Sequence, residues 1–318
     1  MRPKVYIDGH AGTTGLRIRE WMEQRTDVEL LTLPEKHRKD ATARRECLLA
    51  SNLTVLCLPD EAAREAVQWA TTGTTRVVDA STAHRVMPGW VYGLPELAAE
   101  QRAAICDARF VANPGCYSSA FILLLRPLLD AGAISPTAPI TCHALSGYSG
   151  GGHAMIEKWE DPAAGLRALV SEAPYALDRV HKHIPEMMQY TGLQREPYFE
   201  PAVGPFRCGM RVQIPLHVDV LHAGNSGRHV WEVLHERYRN ERFVRVVPFA
   251  ERPNANERSF DPQACNDTNR IELRVLPHPS GHVLLMAVLD NLGKGASGVA
   301  IQSINLMLGF NETTGLPG

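Results

Sequence analysis

The chain has no charge excess of either sign. Its 33 Lys and Arg face 35 Asp and Glu, a net charge of −2, so there is no broad basic field to hold nucleic acid or an anionic membrane. No apolar run approaches the length of a membrane span, and near the N-terminus Asp8 ends the run Val5-Tyr6-Ile7 before a signal-peptide core can form. There is no Cys-x-x-Cys pair: Cys47, Cys57, Cys106, Cys116, Cys142, Cys208 and Cys265 are scattered and odd in number, which points to free thiols in a reducing, cytoplasmic compartment. Internal repeats, coiled-coil heptads and low-complexity tracts are also missing. What remains is a small-molecule protein. At 318 residues and 44% hydrophobic content, it is long enough for two domains with separate cores.

The first third alternates short apolar runs with helix-like stretches. The runs are residues 5–7, 28–33, 53–58, 76–80 and 110–112, a pattern that predicts an α/β fold with a doubly wound parallel sheet. Such sheets bind ligands at the carboxyl ends of their strands, and Gly9, Asp60, Ser81 and Cys116 all fall just after these runs. From Thr137 to about Leu289 the character changes. Longer strand patterns at residues 140–144, 210–220, 244–249, 271–276 and 283–289 predict a second, mixed or antiparallel sheet. Residues 297–308, with Ile301, Ile304 and Leu308 on one face, read as a closing amphipathic helix.

The first strand runs into Gly9-His10-Ala11-Gly12-Thr13-Thr14-Gly15 and then a helix pattern, the context a dinucleotide needs. Gly9 allows the tight turn, Gly12 lets backbone approach a pyrophosphate, Gly15 permits close packing, and the helix start at Thr13 and Thr14 faces the anion. The spacing differs from G-x-G-x-x-G. After the second strand, Glu35 keeps NAD open as a ribose partner, whereas Lys36, Arg38 and Lys39 better suit the 2′-phosphate of NADP(H).

Asn113-Pro114-Gly115-Cys116-Tyr117 leads into an apolar helix pattern, with Asn113 as the expected cap. A cysteine at a helix start is biased toward the thiolate, so Cys116 is the candidate nucleophile. A thiolate combined with a hydride carrier suggests interconversion of an aldehyde and an activated acyl group through a thioester. His181-Lys182-His183, ahead of the helix-opening Pro185, supplies the acid/base candidates; a metal-binding His-x-His finds no third ligand at a helpful spacing, and His217 is a weaker candidate. For phosphate, Arg85 and the hydroxyl of Ser81 follow the fourth strand, Ser81 counting also among the cofactor-binding candidates, and Ser146 to Gly152, with Ser149, offers hydroxyls and an anion nest of backbone amides.

Eight ordered blocks resemble the N-acetyl-gamma-glutamyl-phosphate reductase family in its shorter form. They are the Gly9 to Gly15 loop, Asp79-Ala80-Ser81 with Arg85, Tyr92 to Leu97, Asn113 to Tyr117, Ser146 to Gly152, His181 to Glu186, Gly209-Met210 with Ile214 to His217, and Asp290 to Ala296. The resemblance implies a semialdehyde dehydrogenase-like fold. Residues 1–117 plus 291–318 are then an NADP-binding Rossmann-type domain, and 118–290 a catalytic and oligomerisation domain. It further implies Cys116 as nucleophile, His181 as acid/base, Tyr175 and His183 near the substrate, and Asn291 facing the nicotinamide. His153 departs from the family's Lys or Arg, and Cys208 from its Gln. The expected reaction is NADPH-dependent reduction of N-acetyl-gamma-glutamyl phosphate to the semialdehyde with release of phosphate, in arginine biosynthesis. The alternatives are a related dehydrogenase acting on aspartyl phosphate or a carrier-linked acyl phosphate, and a non-catalytic NADP-sensing regulator. A homo-oligomer, dimer or tetramer, is expected, because an extended open sheet face would be an exposed apolar patch.

Overall fold

A computed structural model describes residues 2–10, 12–252 and 260–318. The chain divides into two compact units, Met1–Pro114 with Ala296–Pro317, and Gly115–Gly295 with the terminal Gly318.

Unit 1 is built on six strands: β1 (Lys4–Asp8), β2 (Glu29–Leu31), β3 (Leu53–Leu56), β4 (Arg76–Asp79), β5 (Val91–Tyr92) and β6 (Phe110–Ala112). Their order is β2-β1-β3-β4-β6-β5, and every neighbouring pair is parallel. Helices α1 (Thr13–Glu23), α2 (Ala41–Ala50), α3 (Asp60–Thr71) and α4 (Gln101–Asp107) connect them, and a closing helix, Gly298–Met307, returns from the far end of the chain. Alternation along β1 divides the core. Val5 and Ile7 pack with Ile18 and Met22 of α1, Ile105 of α4 and Ile301, Ile304 and Met307 of the closing helix. Tyr6 points the other way, to Leu48 of α2 and Ala63, Ala66 and Ala70 of α3. The strand order reverses direction at β1, so the loop after it, beginning at Gly9, lies at the switch point where such sheets take their ligands.

Unit 2 holds a mixed sheet of seven strands: β7 (Thr141–Gly147), β8 (Ala173–Pro174), β9 (Tyr198–Gly204), β10 (Met210–Leu216), β11 (Val244–Val246), β12 (Ile271–Pro277) and β13 (Val283–Leu289). The order is β11-β12-β13-β10-β7-β9-β8, with β7–β9 and β11–β12 parallel and the other pairs antiparallel. Its helices are α5 (Cys116–Asp130), α6 (His153–Glu160), α7 (Ile184–Thr191) and α8 (Gly227–Tyr238). Helix α5 is apolar nearly all round and buries eleven of its residues, so it is the core helix that α7, α8 and the sheet pack around. Pro127 sits inside it and has no N–H for the Leu123 carbonyl. The buried Tyr238 hydroxyl of α8 donates to that carbonyl instead, at 2.9 Å.

Candidate active site

The glycine loop of unit 1 separates two kinds of glycine. Gly9 has φ +87°, and a Cβ there would lie 2.3 Å from the Cys57 carbonyl oxygen. At Gly15 a Cβ would lie 2.5 Å from the Gly9 oxygen, so both positions are closed by the protein's own backbone. Gly12 is different, because its nearest contact would be an ordinary 3.4 Å. It is the N-cap of α1, with no side-chain cap and no acidic residue in the first turn, and its N–H turns back to the Gly9 carbonyl at 3.0 Å. A helix start left open in this way fits a pyrophosphate. Thr13 and Thr14 open α1, and the Thr14 carbonyl accepts from the Ser297 hydroxyl at 3.2 Å. Ala11 lies outside the described residues. Beyond β2, Lys36 and Arg38 are exposed, and Glu35 pairs with Arg38 at 2.7 Å rather than standing alone.

The loop after β4 is tied to one buried carboxylate. Asp79 accepts from the Ser81 N–H at 2.9 Å and the Ser81 hydroxyl at 2.7 Å, and its Oδ2 lies 2.5 Å from His84 Nδ1; the His84 ring stacks on Trp90. Ser81 Oγ also accepts from the Ala83 N–H, so this hydroxyl shapes the turn. Arg85 is buried and donates from Nε to the Asn113 carbonyl at 3.1 Å and from Nη2 to the Ala80 carbonyl at 3.4 Å, joining the ends of β4 and β6. Asn113 does not cap α5. Its Nδ2 donates to the Ala296 carbonyl, and the N-cap is Gly115, in an extended conformation with no side-chain cap.

In unit 2, Cys116 is the first residue of α5 and is partly buried. The first helical bond runs from the Ser119 N–H to the Gly115 carbonyl at 2.9 Å, so the thiol lies at the positive end of the helix dipole. Gly295 packs directly on this cysteine, since a Cβ at 295 would lie 2.8 Å from Cys116 Cβ.

Two buried histidines and two tyrosines gather in the same unit. The His183 N–H donates to His181 Nδ1 at 3.2 Å, which makes Nε2 the protonated nitrogen of the neutral His181 ring. That Nε2 lies 3.5 Å from the Tyr175 hydroxyl, which donates in turn to the Tyr117 hydroxyl at 3.3 Å. The rings of His181 and His183 meet edge to face at 4.8 Å, and both face Tyr117. Burial pushes the Tyr117 phenol well up, with Tyr175 and then Cys116 adding to it; burial likewise takes Tyr175 up to about 12. Both tyrosines therefore stay neutral and act through hydrogen bonding. The order of α5 and α7 adds two groups that sequence reasoning missed. Buried Glu186 accepts from the Gly115 N–H, and Tyr117 forms the floor under both imidazoles; the adjacency of Tyr117 to Cys116 was the available signal.

The Ser146 to Gly152 segment differs from an open anion nest. Ser146 and Gly147 belong to β7, and the N–H groups of Gly147, Tyr148, Ser149 and Gly152 donate to the carbonyls of Gly209, Phe206, Arg207 and Ser149. The Ser146 hydroxyl donates to the Gly147 carbonyl. Ser149 is buried between Asn291 Nδ2 at 3.0 Å and Cys208 Sγ at 3.5 Å. Asn291 also accepts from the Gly209 N–H at 2.8 Å, so its amide braces this loop within unit 2. His153 opens α6 at the surface beside Glu157, and His217 is exposed beside Asp219.

Residues 4–105 match the family described as semialdehyde dehydrogenase, NAD binding domain, and residues 116–291 match semialdehyde dehydrogenase, dimerisation domain. The N-acetyl-gamma-glutamyl-phosphate reductase of Burkholderia orbicola is 48% identical over 308 residues, covering 96% of this chain and 97% of its own. The chain belongs to the N-acetyl-gamma-glutamyl-phosphate reductase family. A second member of that reductase family, reductase 2 of Nostoc sp., is 44% identical over 320 residues and is covered, like this chain, to 99%. Among solved structures, aspartate semialdehyde dehydrogenase II of Vibrio cholerae superposes with a TM-score of 0.73 at 17% identity, covering 97% of this chain and 98% of its own. The aspartate semialdehyde dehydrogenase of Candida albicans with NADP gives 0.66 at 14%, covering 97% and 99%. These two likenesses bear out the expected α/β fold, and the curated relatives bear out the reductase resemblance.

Proposed function

We propose that this protein reduces N-acetyl-gamma-glutamyl phosphate to N-acetyl-glutamate 5-semialdehyde with release of phosphate, through a thioester on Cys116, as a step of arginine biosynthesis. The observation that carries the reading is the thiol at the first residue of α5 in a chain 48% identical to a reductase of that name. The Cys116 thiolate attacks the acyl carbon, the bond from that carbon to the phosphate oxygen breaks, and a thioester forms. NADPH, when bound at the loop from Gly9 to Gly15, supplies the hydride. His181, as the acid/base, lends a proton to the resulting hemithioacetal oxyanion and takes it back as the carbonyl re-forms and the carbon–sulfur bond breaks, which returns the thiolate and releases the aldehyde. Tyr175 and His183 line the substrate side of this chemistry. Arg85, Ser146 and Ser149 act on the substrate phosphate through the loops they hold, as their bonds to backbone and to Asn291 suggest.

NADP(H) is our choice over NAD because Lys36 and Arg38 stand exposed after β2 while Glu35 is engaged by Arg38. Ser81 shapes the adjoining loop, and we assign Asn291 to the nicotinamide side through the loop it braces. The domain matched over residues 116–291 supports a homo-oligomer. All seven cysteines are free, in keeping with a cytoplasmic enzyme, and no helix among the described residues is long and apolar enough to cross a membrane. The deciding experiment is phosphate-dependent NADPH formation from the semialdehyde, with acetylated and unacetylated substrates compared. Cys116→Ala should lose about 10⁴-fold or more in turnover and form no acyl-enzyme by mass spectrometry; near-wild-type turnover in that variant sinks the reading.

A further inference from the structure

We infer that Glu186 is a positioning residue, which with Ser118 clamps the histidine segment to the first turn of the helix that carries Cys116. This rests on the reading of Cys116 as nucleophile and His181 as acid/base. Two hydrogen bonds make the clamp. Glu186 Oε2 accepts from the Gly115 N–H at 3.0 Å, and Ser118 Oγ donates to the His183 carbonyl at 3.4 Å.

The first of these replaces a familiar local device. In a capping box, the third residue of a helix returns a carboxylate to the N-cap N–H. Here the third residue of α5 is Ser118, which has no carboxylate, and the N-cap is Gly115, which has no side chain. The carboxylate comes instead from α7, 71 residues away in sequence, and it is 1% exposed. A bond made across two helices fixes more than a helix end. On α5 it holds the residue before Cys116; on α7 it holds the turn that follows His181 and His183.

The second bond ties the same two places with side chain and backbone exchanged: α5 again donates, now from a side chain, and the backbone carbonyl at the start of α7 accepts. Between them, the His183 N–H fixes the His181 ring through Nδ1, so the backbone held by Ser118 at one end of His183 orients the imidazole at the other. The placement of thiol and imidazole is thus set through the backbone beside each of them, at Gly115 and at His183.

The test compares Glu186→Ala with Glu186→Gln. Both remove the carboxylate's charge, and only Gln keeps an acceptor for Gly115. Two rates are read in each full-length variant: alkylation of Cys116 by iodoacetamide, followed by mass spectrometry, and kcat for the acyl phosphate. We expect Glu186→Ala to fall about tenfold or more below Glu186→Gln in both, with KM for the acyl phosphate changed less than about threefold. Equal rates in the two variants overturn the clamp. The alkylation arm needs no substrate, so it decides the clamp even if the proposed reaction fails. Should Glu186→Ala not fold, Ser118→Ala takes its place against wild type: a loss of about threefold in both rates supports the clamp, and unchanged rates overturn it.

Discussion

Gly12 and Gly15 lie in one turn, yet replacing each by alanine should damage different properties. At Gly15 the new Cβ would lie 2.5 Å from the Gly9 carbonyl oxygen and 3.0 Å from His10 Cα, both of them backbone. Relief requires the turn to open by roughly 1 Å, an overpacking strain worth about 1–3 kcal/mol. For 318 residues, at about 2.1 cal/mol/K of unfolding entropy per residue, the middle of that range lowers Tm by about 3 °C. At Gly12 the backbone angles of −77° and 162° suit alanine, and the nearest atom would be 3.4 Å away. Gly12→Ala should therefore leave Tm unchanged or slightly raised. Its cost falls on the ligand, because a methyl group at the helix start keeps the pyrophosphate off the amides; KM for NADPH should rise about tenfold, equivalent to about 1.4 kcal/mol. Thermal melts and initial-rate kinetics on the two variants read both quantities. If Gly12→Ala destabilises as much as Gly15→Ala and binds NADPH normally, the division between a packing glycine and a ligand glycine is wrong.

His181→Asn should flatten one limb of the pH–rate profile and lower kcat by about 10²–10⁴-fold; an unchanged profile moves the acid/base to His183. Lys36→Ala and Arg38→Ala should each raise KM for NADPH by about tenfold and leave KM for NADH alone, and parallel changes with both coenzymes would remove the 2′-phosphate assignment. Tyr175 and Tyr190 are both held up to about 12, against 10.0 for an ordinary tyrosine, chiefly by burial. The native chain then keeps protons that the unfolded chain gives up. This stabilising difference is fully present below pH 10 and is lost as pH rises through about 12, so Tm should fall across that window. Tyr190→Phe should make the fall shallower, and a Tm independent of pH there would contradict the cause assigned.

The alternation of Val5, Tyr6 and Ile7 was enough to place a strand between two helical layers, because period-two burial on both faces leaves that mark in any sequence. Strands β5 and β8, at two residues each, are too short to show a period and exist only through their partners. The start of α5 was legible to within the cap. Asn113 is a better cap than Gly115 by residue type, but its amide is drawn to the Ala296 carbonyl, a partner 183 residues away. The loop around Ser149 misled for the same reason. The amides of Gly147, Tyr148 and Ser149 read as open until Phe206, Arg207 and Gly209, nearly sixty positions later, supply the carbonyls that fill them. Cys116 and the His181-Lys182-His183 triplet were visible because their chemistry belongs to residue type and local position. Glu186 was hidden because its role depends on which helix it faces.

Unit 1 closes only when Ile301, Ile304 and Met307 of the closing helix pack beside Val5 and Ile7. During synthesis, residues 115–295 leave the ribosome between these two halves of one core. At about 5–20 residues per second, the first 114 residues wait roughly 10–40 s with that face of the sheet uncovered. All of unit 2 except Gly318 emerges in that interval and has its own strands and helices to assemble. The order of birth is thus reversed in the order of completion. The nucleotide-binding half is made first and finished last, with one face of its sheet uncovered until the closing helix arrives.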